Sequence, residues 1–192
     1  TDAVVASANS TAASGSYSLS VSQLASSHSL ASTGYASTSD VVGTGTLTIR
    51  FGSTNYTSPD PGPESYDGFT VNPEKGTATI TIDSDNNTLT GVRDAINGAK
   101  IGVTAVIVND ESGYRLLIGS DDGGEKNSLE ISVTDTGDND DLDSAGLSAL
   151  SFNGSATNLA QTVAAHDALF TVNGLSIRSS DNRASGVIEG LD

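Results

Sequence analysis

Apolar and polar residues alternate through much of this chain, and the places where the alternation stops mark its elements. From Gly15, the residues Tyr17, Leu19 and Val21 fall on one face and Ser16, Ser18, Ser20 and Ser22 on the other, which predicts a half-buried strand. Leu47, Ile49 and Phe51, set against Thr46, Thr48 and Arg50, predict a second. Ile80 and Ile82 with their intervening threonine, and Leu129, Ile131 and Val133 in LEISVT, predict two more.

Between these strands the period changes. Leu89, Val92, Ala95 and Ile96 share a face at helical spacing, Thr88 stands where a hydroxyl caps the first turn, and Gly98 stands where a left-handed stop is expected. The run IGVTAVIV from Ile101 to Val108 is rich in β-branched residues and predicts a strand. Turn chemistry from Asn109 to Gly113 then returns the chain into Tyr114, Leu116 and Ile118 as an antiparallel partner.

Elsewhere the pattern is broken by composition. All four prolines fall between Pro59 and Pro73, predicting a loop that projects from a sheet, with a brief extended piece at Phe69 to Val71. Asp121 to Asn127 reads as a Gly-rich acidic turn, and Asp135 to Asp143 as the acidic loop that ends the sheet. Leu142, Leu147, Leu150 and Phe152 would dock on that sheet as an apolar turn. Residues 26–39 admit either a strand continuation or a crossing loop, and Ala-rich Asn158 to Asp167 predicts a turn or two of helix. Asn173-Gly174 is the strongest two-residue hairpin signal; it sets Val172 opposite Leu175 and Phe170 opposite Ile177. Residues 1–14 read as a linker or frayed end.

Composition narrows the class. With 35% hydrophobic residues, few aromatics and neither Trp, Met nor Cys, the cores must be built from Val, Ile, Leu and Ala, which favours thin sheet packings over bundles. The fold class expected is mainly β (α+β), with a short helix packed on antiparallel sheet. Zero cysteines exclude disulfides and thiolate metal sites. The absence of Met, and an opening without basic or long apolar character, lead us to expect a chain excised from a longer one. No window approaches the roughly 20 apolar residues needed to cross a bilayer, so a soluble, non-membrane piece is expected. Its formal charge of −16, from 24 acidic against 8 basic residues, argues against nucleic-acid partners and anionic membrane surfaces.

Catalytic chemistry finds no anchor. Asp83, Asp85, Asn87 and Asp94 echo positions one, three, five and twelve of a calcium loop, but Thr88 stands where that loop needs glycine, so a turn leading into a capped helix is the preferred reading. The acidic run at 135–143 reads as a solvated loop. His28 and His166 lack the paired spacing of a zinc site and are expected at the surface or a boundary. There is no G-x-S-x-G elbow, and chance carboxylate pairs among 24 acids do not make a glycosidase. The expectation is therefore no enzyme, with no catalytic, cofactor-binding or metal residues, no cofactor, and binding residues unknown. Tyr56 and Tyr66, flanking the proline loop, either contact a neighbour or host surface or pin the loop to its own sheet. The triplets at Asn9, Asn55, Asn86 and Asn153 match the glycosylation pattern by chance.

Three ordered segments carry a resemblance. The order TLTGVRDAIN, IGVTAVIVND, GYRLLIGS resembles the repeat motif of flagellar hook-associated proteins and flagellins. GSYSLSVSQLASSHSLAS (Gly15 to Ser32) and DALFTVNGLSIRSSDNRASGVIEGLD (Asp167 to Asp192) are similar to segments of the flagellar filament cap proteins. The resemblance implies two β-rich domains, one inserted into the other: 1–38 with 157–192, and 39–156 carrying the helix-strand-strand motif. It further implies a head fragment of a structural protein at the extracellular tip of the flagellum. The partners implied are its own copies, in a homo-oligomeric ring (a pentamer or hexamer in the full protein), and flagellin. Host mucin or glycans are the partner of an alternative, adhesin-like reading. The outer variable domain of a flagellin or hook-filament junction protein is a third.

Overall fold

The structure is a computed structural model that describes residues 4–57, 62 and 64–191. The proline loop expected around Pro59, Pro61 and Pro63 lies largely outside the described residues. In chain order the elements are β1 (Leu19–Gln23), β2 (Ser27–Ala31), β3 (Gly45–Thr57), β4 (Ser65–Val71), β5 (Ala78–Ile82), α1 (Leu89–Ala99), β6 (Val103–Asp110), β7 (Gly113–Gly123), β8 (Ser128–Asp135), β9 (Ala160–Val163), β10 (Ala168–Val172) and β11 (Leu175–Ser179). Short 3₁₀ turns stand at Glu125–Asn127 and Gly146–Leu150. The fold is mainly β, with one α-helix among the described residues.

β3 is the spine of the first sheet. It pairs along one edge with β8 from Gly45 to Gly52, and along the other with β5 and then β4. Its alternation is that of the sequence: Leu47, Ile49 and Phe51 are buried, with Thr46, Thr48 and Arg50 between them half-exposed. At Gly45 a side chain has no room, since a Cβ there would meet the Thr134 carbonyl oxygen at 2.0 Å. The extended piece at Phe69 to Val71 is the end of a longer strand, β4.

A second sheet has the order β6-β7-β2-β9. β6 and β7 form the predicted hairpin, closing at Asp110 opposite Gly113. The segment left open at 26–39 contributes β2, which pairs with β7 on one side and β9 on the other. Asn158 to Asp167 is not helical, contrary to the Ala-based expectation. A run this short has a costly nucleus and gains little without packing, whereas extended backbone at 160–163 finds a ladder waiting on β2.

α1 spans the two sheets' core. Thr88 is its N-cap, with the Gly91 amide donating to Thr88 Oγ1 at 3.1 Å, and Leu89, Val92 and Ile96 are buried. The helix does not stop at Gly98. It runs to Ala99, and Lys100 adopts the left-handed conformation (φ 52°). Asn97 holds this last turn in place: its Nδ2 donates to the Ala105 carbonyl and its Oδ1 accepts the Ala105 amide, both at 2.8 Å.

These elements enclose one large core. β3, β5, β8 and α1 supply most of it, Ala105, Leu116 and Ile118 come from the β6–β7 hairpin, and Leu30 and Leu159 come from outside residues 39–156. Leu147, Leu150 and Phe152 dock there as predicted, but Leu142 does not; it is 59% exposed. Each fully buried Leu, Ile or Phe contributes about 1.5–3 kcal/mol of transfer free energy.

The third sheet, β1-β10-β11, is separate and small, with a core of Ala168, Phe170 and Val172. Its hairpin register is the predicted one, Val172 opposite Leu175 and Phe170 opposite Ile177. Asn173 and Gly174 both have positive φ, 48° and 83°, as a primed two-residue turn requires. β1 adds to the other edge of β10, with Leu19 opposite Val172 and Val21 opposite Phe170.

Candidate interaction site

The small sheet leaves its apolar face open. β1 was expected to be half-buried, yet Leu19 and Val21 remain 42% and 45% exposed, because nothing among the described residues fully covers the face they share with Phe170 and Val172. A groove of about 510 Å³ lies over these four side chains, walled by residues such as Val5 and Ile188, with Asp181, Asn182 and Arg183 along it. An apolar surface of this kind binds by excluding water rather than by polar recognition. Among the described residues its lining is mostly Val, Leu, Ala and Ile.

The small sheet is tied to the large core by a polar joint that the sequence did not disclose. Asn182 clasps the backbone of Ala25, accepting its amide at 2.8 Å and donating to its carbonyl at 2.9 Å. Asp167 Oδ1 accepts the Glu125 amide at 2.8 Å, its Oδ2 pairs with Arg178 Nε at 2.8 Å, and the Arg178 guanidinium reaches Glu125 Oε2 at 2.5 Å. Ser26 and His166 pair through their backbones beside these contacts.

Of the residues singled out for chemistry, the two histidines part company. His166 is exposed. His28 is not at a surface or boundary but fully buried, wedged between the first two sheets. It sits there because β2 turns this side chain inward opposite β8. Its Nδ1 accepts the Leu129 amide at 2.9 Å, its Nε2 lies 2.9 Å from Gln161 Oε1, and its ring is 5.6 Å from that of Phe152. Burial pushes its pKa below the ordinary histidine value, while the bond to Gln161 acts the other way.

The aspartates of the calcium-like stretch are engaged in a turn. Asp83 Oδ1 accepts the Asp85 amide, and the Asp83 amide donates to Asn86 Oδ1. Among the described residues no three His, Cys, Asp or Glu side chains converge as a metal site would require. At the head of the acidic run, Asp135 is 2% exposed and serves as an internal cap. It accepts amides from Gly137, Leu147 and Ser148, at 2.7, 2.6 and 3.1 Å. The only trace of this role in the sequence is that Asp135 extends the alternation of LEISVT by one residue.

Tyr56 and Tyr66 pin the strand pair to its own core. They oppose each other on β3 and β4, and both rings pack edge-on against Phe152, at 4.9 and 5.7 Å. Burial pushes the Tyr66 phenol up to about 12, with the Glu130 carboxylate adding to the rise and Arg50 opposing it.

What the geometry defines is a sheet-built module with an open apolar face. No family model and no curated protein matches the chain. Solved structures do. The D2–D3 domains of the flagellar cap protein FliD from Escherichia coli align at a TM-score of 0.76 and 31% identity, covering 97% of this chain and 83% of that one. The D2–D3 domains of the Serratia marcescens protein align at 0.74 and 30% identity, covering 99% and 90%. Against the E. coli D1–D2–D3 structure the TM-score is 0.77 at 30% identity, covering 97% of this chain but 47% of that one, so the chain spans about half its length.

The architecture is thus that of the D2–D3 domains of flagellar cap proteins. This chain belongs to the FliD flagellar cap protein family.

Proposed function

We propose that this chain is the head region of a flagellar filament cap, acting at the extracellular filament tip as part of a homo-oligomer that promotes flagellin assembly. The observation that carries this reading is the match to FliD D2–D3 domains along nearly the whole chain, at 30–31% identity. The role is structural and involves no bond-making chemistry. The buried polar groups His28 and Asp135, and Asn97 at the end of α1, hold backbone in place, and the open groove is apolar.

The division into two units belongs to the same proposal. The sheet pairings of β2 and β9 support a boundary at Ser26 and His166, with residues 27–165 as the inserted unit and the small sheet as part of its companion. With a charge of −16, copies repel, and salt screens that repulsion over about 8 Å at physiological ionic strength.

The test is complementation of a strain lacking its cap protein, using the full-length gene with and without this region. The intact gene restores filaments, and the deleted gene, though expressed and exported, leaves flagellin shed into the medium. Normal filaments from the deleted gene would overturn the proposal.

A further inference from the structure

We propose that His28 is an acid-sensitive latch between the first two sheets: the neutral ring joins β2 to β8 and β9, and taking up a proton opens that joint. The inference does not depend on the capping role.

The geometry fixes the ring's protonation state. A backbone amide can only donate, so the Leu129 N–H at 2.9 Å requires a lone pair on Nδ1. The single ring proton is then on Nε2, where it donates to Gln161 Oε1. Both nitrogens are satisfied, and the side chain is inaccessible to water. A second proton would go to Nδ1 and place an N–H against the N–H of Leu129. The bond joining the sheets would become a repulsion, and the new charge would be buried.

Among the described residues no counter-charge stands ready to hold the imidazolium. On β8, Glu130 is paired with Arg50, and Asp135 accepts the amides described above. On β7, Asp122 pairs with Lys75, Asp121 accepts from Thr104, and Arg115 pairs with Asp110, while Tyr114 bridges to Tyr35 through the backbone. β9 carries only Ala160, Gln161, Thr162 and Val163. The aromatic side is Phe152, with Tyr56 and Tyr66 packed on it. The charged form can be accommodated only by letting β2 move from β8 and admitting water. β2 also leads directly from the joint at Ala25 and Ser26, so its release loosens the hold on the small sheet.

The experiment follows the two histidine rings and the Leu129 amide of the unmodified protein by NMR between pH 7.5 and 4.5. His28 is expected to titrate below the ordinary histidine value, and the protection factor of the Leu129 amide to fall about tenfold per pH unit below about pH 6.5, while the closed form still holds the ring neutral. The Ile131 amide, which donates to Phe152, serves as reference and should hold its protection over the same range. A second arm compares H28Q with H166Q by urea unfolding. The fall in midpoint between pH 7.5 and 4.5 should shrink in H28Q and persist in H166Q. The latch is overturned if His28 titrates at or above the ordinary histidine value of about 6.5, if Leu129 stays protected after His28 has titrated, or if a folded H28Q keeps the full acid-dependent fall.

Discussion

Asp135 and Leu147 are joined by a 2.6 Å hydrogen bond from the Leu147 amide to the buried carboxylate, so the end of β8 and the 3₁₀ turn that plugs the core share one anchor. The same oxygen accepts the Ser148 amide, and the other accepts Gly137. Replacing Asp135 by Ala would orphan three amides, at least two of them buried. The expected cost is about 3 kcal/mol, given about 1–3 kcal/mol for each buried group left unpaired and some recovery by water. Urea unfolding of D135A measures it, and a loss under 1 kcal/mol would show that the anchor carries little.

Thr88 caps α1 through a single bond to Gly91. T88A should lose about 1 kcal/mol, and T88S or T88D much less, because an oxygen acceptor at this position is what matters. Thermal unfolding of the three variants tests the ranking; equal losses in all three would reject the cap.

Arg178 reaches both Asp167 and Glu125, but it is 62% exposed. R178A should therefore change global stability by less than about 1 kcal/mol. What should change is the attachment of the small sheet. Amides of β10 and β11 are expected to exchange faster in R178A at low salt, and the difference should narrow as salt is added. Hydrogen exchange read by mass spectrometry decides this, and unchanged exchange would leave the attachment to the Asn182–Ala25, Asp167–Glu125 and Ser26–His166 backbone contacts.

Tyr66 supplies an alkaline dependence. Its folded pKa is raised to about 12, above an unfolded phenol near 10. Between these values the folded state holds a proton that the unfolded state has released, so stability falls as pH rises from about 10 to about 12. Removing the hydroxyl in Y66F should flatten that part of the curve. Unfolding midpoints at pH 9 and 11 for both proteins are the measurement, and equal slopes would refute the assignment.

Much of this fold was legible in side-chain periodicity. Leu47-Ile49-Phe51, Leu129-Ile131-Val133 and the α1 stripe each bury the face that their spacing selects, and Asn173-Gly174 fixed a register to the residue. What misled was composition without partners. Alanines at 160–165 read as helix because propensity is local, whereas β2, some 130 positions earlier, offers hydrogen bonds that no local scale contains. Gly98 read as a stop because the clasp between Asn97 and Ala105 is a matter of orientation. The buried roles of His28 and Asp135 were hidden for the same reason: a polar side chain declares its partners only when the sheets that carry them meet. The open groove was hidden by its own regularity, since Tyr17, Leu19 and Val21 alternate whether or not anything covers them.

The small sheet also sets an order of events. β1 cannot pair with β10 until nearly 150 intervening residues have been synthesised, and Ala25 meets Asn182 across a separation of 157 positions. Closing so long a loop from a disordered chain carries a large entropic cost, but if the proposed insertion folds first it brings Ser26 and His166 side by side and shortens the effective loop to a few residues. On the proposed division, maturation of the companion unit waits on its guest, and a lesion deep in the insertion surfaces as misassembly at the chain's two distant arms.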